Sequence, residues 1–154
     1  MNAEFINPFL VSIVNVLLTM AQVVATPGKP LLKTFDLAKG DVTGIIGMAG
    51  EKTRGSLAIT FTEESILHIA SQMLGEKIET MDETISDMVG EITNMVTGGA
   101  KKILSEKGYK FELAIPSMIV GKNHVISHKT NGPIVIVPFK TGNGDFFIEV
   151  CFER

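Results

Sequence analysis

The stretch MDETISDMVGEITNMVTGGAKKILSEK, residues Met81–Lys107, decides the fold of this chain. Its apolar side chains recur at steps of three and four residues, which predicts one long amphipathic helix with a buried stripe. Asp87, Glu91 and Asn94 are spaced by four and then three residues, so they should share the opposite, exposed face. We call these three residues the polar ridge. The buried stripe consists of Ile85, Met88, Val89, Ile92, Met95, Val96, Ile103 and Leu104.

The composition is that of an ordinary globular protein. The 154 residues, 45% hydrophobic and 20% charged, predict one domain over residues 1–154. A net charge of −3 and the lack of any Lys or Arg block argue against nucleic-acid binding, which depends on clustered cations. The single cysteine, Cys151, cannot form an internal disulfide, so we expect a cytoplasmic protein.

The stretch from Phe9 to Ala25 carries no charge and raises the question of export or membrane insertion. The residues before it include Glu4 and no Lys or Arg, unlike a signal peptide, and seventeen residues is short for a membrane span. We therefore expect no membrane insertion, and a mostly buried helix that begins at Asn7-Pro8 and ends before Pro27-Gly28. The polar face of this helix consists of Ser12, Asn15, Thr19 and Gln22.

Two strands should follow, at Leu31–Leu37 and Val42–Met48, and the second is rich in glycine. Its sequence GIIGMAG matches neither phosphate-binding glycine pattern, so glycines at a bulge or a close backbone approach are the preferred interpretation. A small-molecule binding domain would rest on this strand alone. After a loop at Gly50–Gly55, the alternation of Leu57, Ile59 and Phe61 with small residues predicts a third strand.

A short helix from Thr62 to Gly75 should precede the long helix, and Gly108 should end the long helix. The residues after Gly108 are predicted to form β structure. His124 and His128 would be about 13 Å apart along a strand, too far to share one metal ion. The expected strands are an interrupted strand at Phe111–Ile115 and Met118–Val120, then Asn123–Lys129, Pro133–Phe139, and a last strand whose Phe146, Ile148, Val150 and Phe152 face the core.

The order of elements is helix and three strands, twice, which predicts an internal repeat over about 5–62 and 81–153. Superposing Asn15 on Asn94 places Ser12 where the second helix has Glu91, so only the second helix keeps the acid. The expected fold class is α+β, an α/β two-layer architecture of pseudo-duplicated units, with about six mostly antiparallel strands and two long helices on one face. Gly98 and Gly99, which weaken a helix interior, suggest either a close crossing, with the first helix as the obvious neighbour, or a kink.

The chemistry of the polar ridge is restricted. No Ser, Cys or Lys nucleophile is paired with a base there, and one or two carboxylates are few for a metal that requires six ligands. A carboxamide can donate and accept hydrogen bonds at once, which suits the orientation of a water molecule. A Glu and an Asn on a helix without a pocket of their own could complete the active site of another protein.

The pattern Asp87-x-x-x-Glu91-x-x-Asn94 resembles the signature of the CheC/FliY/CheX group of chemotaxis phosphatases, and a single signature in a chain of this length is most similar to the CheX members. The resemblance implies dephosphorylation of a phosphorylated CheY-type response regulator. It implies that Asn94 positions the attacking water and that Glu91 engages a lysine of the regulator, with Asp87 in support. It further implies that the regulator supplies Mg²⁺, that the chain has no cofactor of its own, and that it forms a homodimer through an exposed sheet edge.

A second class of function remains open at this point. A chain of the same fold could bind a receiver or a flagellar-switch protein without hydrolysing anything. Glu91 could also act as a general base, although loose phosphoryl transfer depends more on positioning than on a base. Hydrolysis of a phosphorylated receiver separates the catalytic from the non-catalytic interpretation.

Overall fold

A computed structural model describes residues 3–51, 53–128 and 130–153 of the chain. Within this part the chain forms a layer of three helices on one face of a single eight-stranded sheet. The helices are α1 (Ala3–Ala21), α2 (Glu63–Leu74) and α3 (Glu83–Glu106). The strands are β1 (Thr26–Pro27), β2 (Leu31–Leu32), β3 (Val42–Ala49), β4 (Arg54–Phe61), β5 (Glu112–Leu113), β6 (Ser117–Val120), β7 (Ile134–Thr141) and β8 (Gly144–Glu153).

The sheet is built from two long hairpins, β3–β4 and β7–β8, which meet at the central pair β4–β8. All the described pairings are antiparallel, in the order β1-β7-β8-β4-β3-β5. The short strands β1 and β2 pair with β7, and the short strands β5 and β6 pair with β3. If the four strands of each half are exchanged (β1 with β5, β2 with β6, β3 with β7, β4 with β8), the strand order is the same when read from the opposite edge of the sheet. The predicted repeat would account for this symmetry, and its boundaries stay a prediction.

The predicted two-layer α+β class is confirmed, and the strand count is higher than the predicted six. Leu31–Leu37 contributes only the short β2, and β1 precedes it. The strand predicted at Asn123–Lys129 is wrong: Val125 makes a single bridge to Leu37, and Lys129 lies outside the described residues. This segment crosses the face of the sheet away from the helices, where Ile126 is buried, so it cannot join the ladder.

Helix α1 begins at Ala3, before the predicted start at Asn7, and includes Pro8 in its second turn. Proline lacks a backbone donor and normally marks the first turn. Here the earlier start buries Phe5, whose ring centroid lies 4.8 Å from that of Phe152. Burial of one such ring stabilises by about 1.5–3 kcal/mol, which offsets a missing hydrogen bond. By length and composition α1 could cross a membrane, and in this fold its buried side belongs to the core.

The other two helices have the predicted positions, and their caps explain their ends. The Thr62 hydroxyl accepts from the Ser65 N–H, and Gly75, at φ 69°, ends α2 in the left-handed conformation. The Asp82 carboxylate accepts from the Thr84 N–H at 3.0 Å and begins α3. Prediction placed α3 at Met81–Lys107, within two residues of the observed bounds.

One large core lies between the helices and the sheet, as predicted. Phe146, Ile148 and Val150 of β8 are fully buried in it, and Phe152 is nearly so. The opposite face of the sheet is covered as well, by the segments 33–40 and 121–128, so that Glu149 is completely buried there. The alternation along β8 was predicted correctly, but the second face is not an exposed one.

Candidate functional site

The polar ridge lies on the solvent side of α3. Asp87, Glu91 and Asn94 are all exposed, while the neighbouring Ile92 is completely buried. Positions three residues apart on a helix have Cβ atoms about 5–6 Å apart, so Glu91 and Asn94 can contact one target together. Among the described residues, no hydrogen bond or ion pair engages any of the three side chains. The helix thus presents a carboxylate and a carboxamide to solvent, as the spacing predicted.

Packing on its inner side fixes α3 close to the sheet. Gly44 of β3 lies directly under Thr93, with no room for a Cβ beside the Thr93 hydroxyl. Thr93 and Thr97 turn their hydroxyls back to the helix carbonyls of Val89 and Thr93, at 2.7 and 2.6 Å, so their polar atoms are satisfied within the core. In the glycine-rich strand, Gly44 therefore permits a close helix–sheet approach. That contact holds the backbone immediately next to Asn94.

Two further contacts hold α3 from the sides. Met118 of β6 packs on Gly90, where a Cβ would lie 3.1 Å from the Met118 sulfur. On the other side Ser12 of α1 fills the space above Gly99, and the Ser12 hydroxyl donates to the Val96 carbonyl at 2.7 Å. The close crossing predicted for the glycines is confirmed at Gly99. With three sides packed, α3 offers its fourth face as a rigid platform.

The burial of Ser12 corrects one part of the sequence interpretation. Ser12 is 5% exposed and bonded to α3, so it does not share a solvent-exposed ridge with Asn15, which is exposed. A short hydroxyl can satisfy its donor on a helix carbonyl across a tight crossing, which Glu91 in the matching place could not do. The first helix therefore has no exposed pair comparable to Glu91 and Asn94.

Charge is distributed unevenly along α3. Its first half carries Glu83, Asp87 and Glu91, whereas its second half carries Lys101, Lys102 and Glu106. Glu83, in the first turn, complements the helix dipole, which is positive at the amino end. The Glu91 carboxylate is exposed and has no described cation beside it, so it is available to a cationic side chain of a partner. Asn94 adds a neutral donor and acceptor next to that anion.

A second polar cluster, which the sequence did not reveal, is buried on the far face of the sheet. The Lys33 ammonium lies 2.7 Å from Glu149 Oε2, and His128 lies between Glu149 Oε1 and the Ser56 hydroxyl at 3.0 and 2.9 Å. Ser56 and Glu149 are 0% exposed, so no substrate could reach this Ser-His-Glu arrangement. We interpret it as a structural network that fastens the covering segments to the sheet.

Within 3–51, 53–128 and 130–153, no group of three or more His, Cys, Asp or Glu side chains could hold a metal ion. His124 contacts the Thr43 hydroxyl and His128 contacts Glu149, so the two histidines belong to separate hydrogen-bond networks. A surface cavity of about 650 Å³ lies near Tyr109 and Phe111, and none of the polar ridge lines it. The polar ridge therefore lies on an exposed helix surface and not in this cavity.

The central part of the chain matches a known protein family. The model of the family described as chemotaxis phosphatase CheX matches residues 42–140, more than half of the chain and including the whole polar ridge. The chain belongs to the chemotaxis phosphatase CheX family. The resemblance drawn from Asp87, Glu91 and Asn94 is therefore confirmed at the level of the family.

Solved structures agree with membership in the CheX family. A CheC-like superfamily protein from Shewanella sp. PV-4 is 58% identical over 100% of both chains, with a TM-score of 0.94. Chemotaxis protein CheX from Vibrio vulnificus is 54% identical over 97% of this chain and 99% of its own, with a TM-score of 0.92. CheX from Borrelia burgdorferi, solved as a CheX–CheY–BeF₃–Mg²⁺ complex, is 29% identical over 97% and 98%, with a TM-score of 0.82. No curated protein sequence matches the chain.

Proposed function

We propose that this chain hydrolyses the aspartyl phosphate of a CheY-type response regulator by inserting Glu91 and Asn94 into the regulator's active site. The observation that carries the proposal is the exposed, unpartnered Glu91–Asn94 pair on a helix packed on its other three sides. Family membership supports phosphatase activity in chemotaxis. The CheX–CheY complex of the Borrelia burgdorferi relative supports the kind of partner.

In the proposed reaction Asn94 binds the attacking water. Its carboxamide oxygen accepts a hydrogen bond from the water and its N–H₂ group donates one, which holds the water in line with the bond to be broken. A bond forms from the water oxygen to phosphorus as the bond from phosphorus to the aspartyl oxygen breaks. Inorganic phosphate leaves and the aspartate carboxylate of the regulator is restored. Positioning supplies most of the rate enhancement, since loose phosphoryl transfer needs little base assistance.

Glu91 has the docking role in this proposal. Its exposed carboxylate pairs with the active-site lysine of the regulator and so fixes where Asn94 enters. Asp87, one turn earlier, supports the ridge with a second negative charge and does not react. The regulator supplies Mg²⁺, in keeping with the Mg²⁺ in the complex of the Borrelia burgdorferi relative. The chain contributes side chains and no cofactor of its own.

The test measures loss of phosphate from a phosphorylated receiver of the same organism with wild type, Asn94→Ala and Glu91→Ala. Asn94→Ala should lower the maximal rate by about 100-fold with little change in affinity, because only the water loses its position. Glu91→Ala should mainly weaken binding. If Asn94→Ala hydrolyses the phosphoreceiver as fast as wild type, the mechanism is wrong. Binding by wild type without hydrolysis would indicate a non-catalytic receiver-binding module.

A homodimer and a cytoplasmic location complete the proposal. The outer edge of β6 and its exposed Val120 offer unpaired backbone groups to a second copy, and such an edge favours pairing. Sedimentation equilibrium measures the molecular mass directly. A mass that stays that of one chain at micromolar concentration would exclude the dimer.

A further inference from the structure

Three glycines lie inside α3, and described neighbours account for two of them. Met118 occupies the space above Gly90, and Ser12 occupies the space above Gly99. Gly98 differs from both, because a Cβ added there would meet nothing within 4 Å. Gly98 is also exposed, so it faces solvent with no side chain of its own.

Nothing within the described fold requires glycine at position 98. The residue lies within α3, and it is not among the glycines with positive φ, so alanine could adopt its conformation. Glycine in an exposed helix interior lowers helix stability relative to alanine. No described contact therefore explains a bare backbone at this position.

The position of Gly98 connects it to the polar ridge. It follows Asn94 by four residues and Glu91 by seven, about 6 Å and 10.5 Å along the helix axis, and it projects within about 20° of Glu91 around that axis. Along this face α3 therefore carries the three side chains of the polar ridge and then, at Gly98, no side chain. Because an asparagine side chain is short, a partner can surround its amide only if the partner's own backbone comes close to α3 beside it.

We propose that Gly98 is a positioning residue, the place where a loop of the receiver beside its phosphorylated aspartate rests on the backbone of α3. The inference depends on the proposed function, since it concerns the same partner and the same site. The gap at Gly98 sets how far Asn94 enters the receiver. A side chain at 98 would hold the loop away and withdraw the carboxamide from the water that it orients.

The experiment compares wild type, Gly98→Ala and Gly98→Leu with the control Ser105→Leu, which adds the same side chain to the same face of α3 two turns further on. Thermal unfolding, the affinity for a beryllofluoride-activated receiver and the single-turnover rate of dephosphorylation are measured for each. Gly98→Ala should raise the melting temperature and still weaken binding. Gly98→Leu should weaken binding by about tenfold or more, as overpacking of a close contact does. Ser105→Leu should bind as wild type does.

Receiver affinity of Gly98→Leu equal to that of wild type overturns the role of Gly98. Equal weakening by Ser105→Leu also overturns it, since the effect would then belong to any bulk on this helix. Asn94→Ala, measured in parallel, keeps the two proposals apart. Wild-type turnover by Asn94→Ala refutes the hydrolysis mechanism, while the affinities of the Gly98 variants still decide whether the receiver rests there. Failure of wild type to bind any activated receiver overturns both proposals.

Discussion

Replacement of Lys33 by methionine should leave the Glu149 carboxylate buried without its cation. The Lys33 ammonium lies 2.7 Å from Glu149 Oε2, and the two side chains are 1% and 0% exposed. Water therefore cannot take the place of the lost ammonium. Methionine has a similar length and keeps the apolar contacts of the stem, so the variant tests the charge rather than the packing.

The expected loss is large for a single substitution. Removal of one partner from a buried ion pair costs about 3–5 kcal/mol, because the remaining charge stays desolvated. A domain has about 5–15 kcal/mol of unfolding free energy, so the variant should remain folded at 25 °C with a much reduced margin. For a chain of this length each kcal/mol shifts the melting temperature by about 2–4 °C, which predicts a decrease of roughly 6–20 °C.

The assay is urea and thermal unfolding of wild type, Lys33→Met, Glu149→Gln and the double variant. In the double variant neither charge is left alone, so its loss should be smaller than the sum of the single losses by at least about 1 kcal/mol. Dephosphorylation measured well below all melting temperatures should be unchanged, since the network and the polar ridge lie on opposite sides of the sheet. Additive losses, or a loss under about 1 kcal/mol for Lys33→Met, would refute the assignment of a coupled buried pair.

Two further predictions concern the α1–α3 crossing and acid stability. Gly99→Ala should lower the unfolding free energy by about 1–3 kcal/mol, because its methyl group would overlap the Ser12 hydroxyl. The loss should be smaller when Ser12 is also replaced by alanine. Equal losses with and without Ser12→Ala would contradict this contact. The hydrogen bond from the Asn131 N–H, and then that from Arg54, lower the pKa of Glu153 from its ordinary 4.5. A carboxylate with a lowered pKa contributes stability that is present above pH 4.5 and is lost as the pH falls through the lowered pKa. Glu153→Gln should therefore have a lower melting temperature than wild type at pH 7 and the same melting temperature in strong acid. A difference in melting temperature that persists in strong acid would argue against this linkage.

Helix α3 was predictable because its signal is local. Apolar residues at helical spacing, with Asp82 before them and Gly108 after, determine both the type of the element and its buried face. The polar ridge follows directly, since residues opposite a buried stripe must be exposed. Strands β4 and β8 were predictable for the same reason, through the alternation of apolar residues along each of them.

The buried polar groups could not be predicted, because their partners are distant in the chain. Glu149 occupies an outward position of β8 and would be solvated if nothing covered that face. Its cation, Lys33, is 116 residues away in sequence. Ser12 misled in a similar way, since a hydroxyl bonded across a helix crossing cannot be told from an exposed one by periodicity. In both cases tertiary contacts reversed the meaning of a polar residue.

The interlocking of the two halves of the sheet affects how the protein folds during synthesis. Strand β4 emerges from the ribosome early, yet its central partner, β8, spans Gly144–Glu153, and β3 must wait for β5 and β6. Pairings between strands so far apart form slowly, because a long loop must close before any contact is made. The hairpin β3–β4 should therefore keep exposed strand edges until β8 has been synthesised.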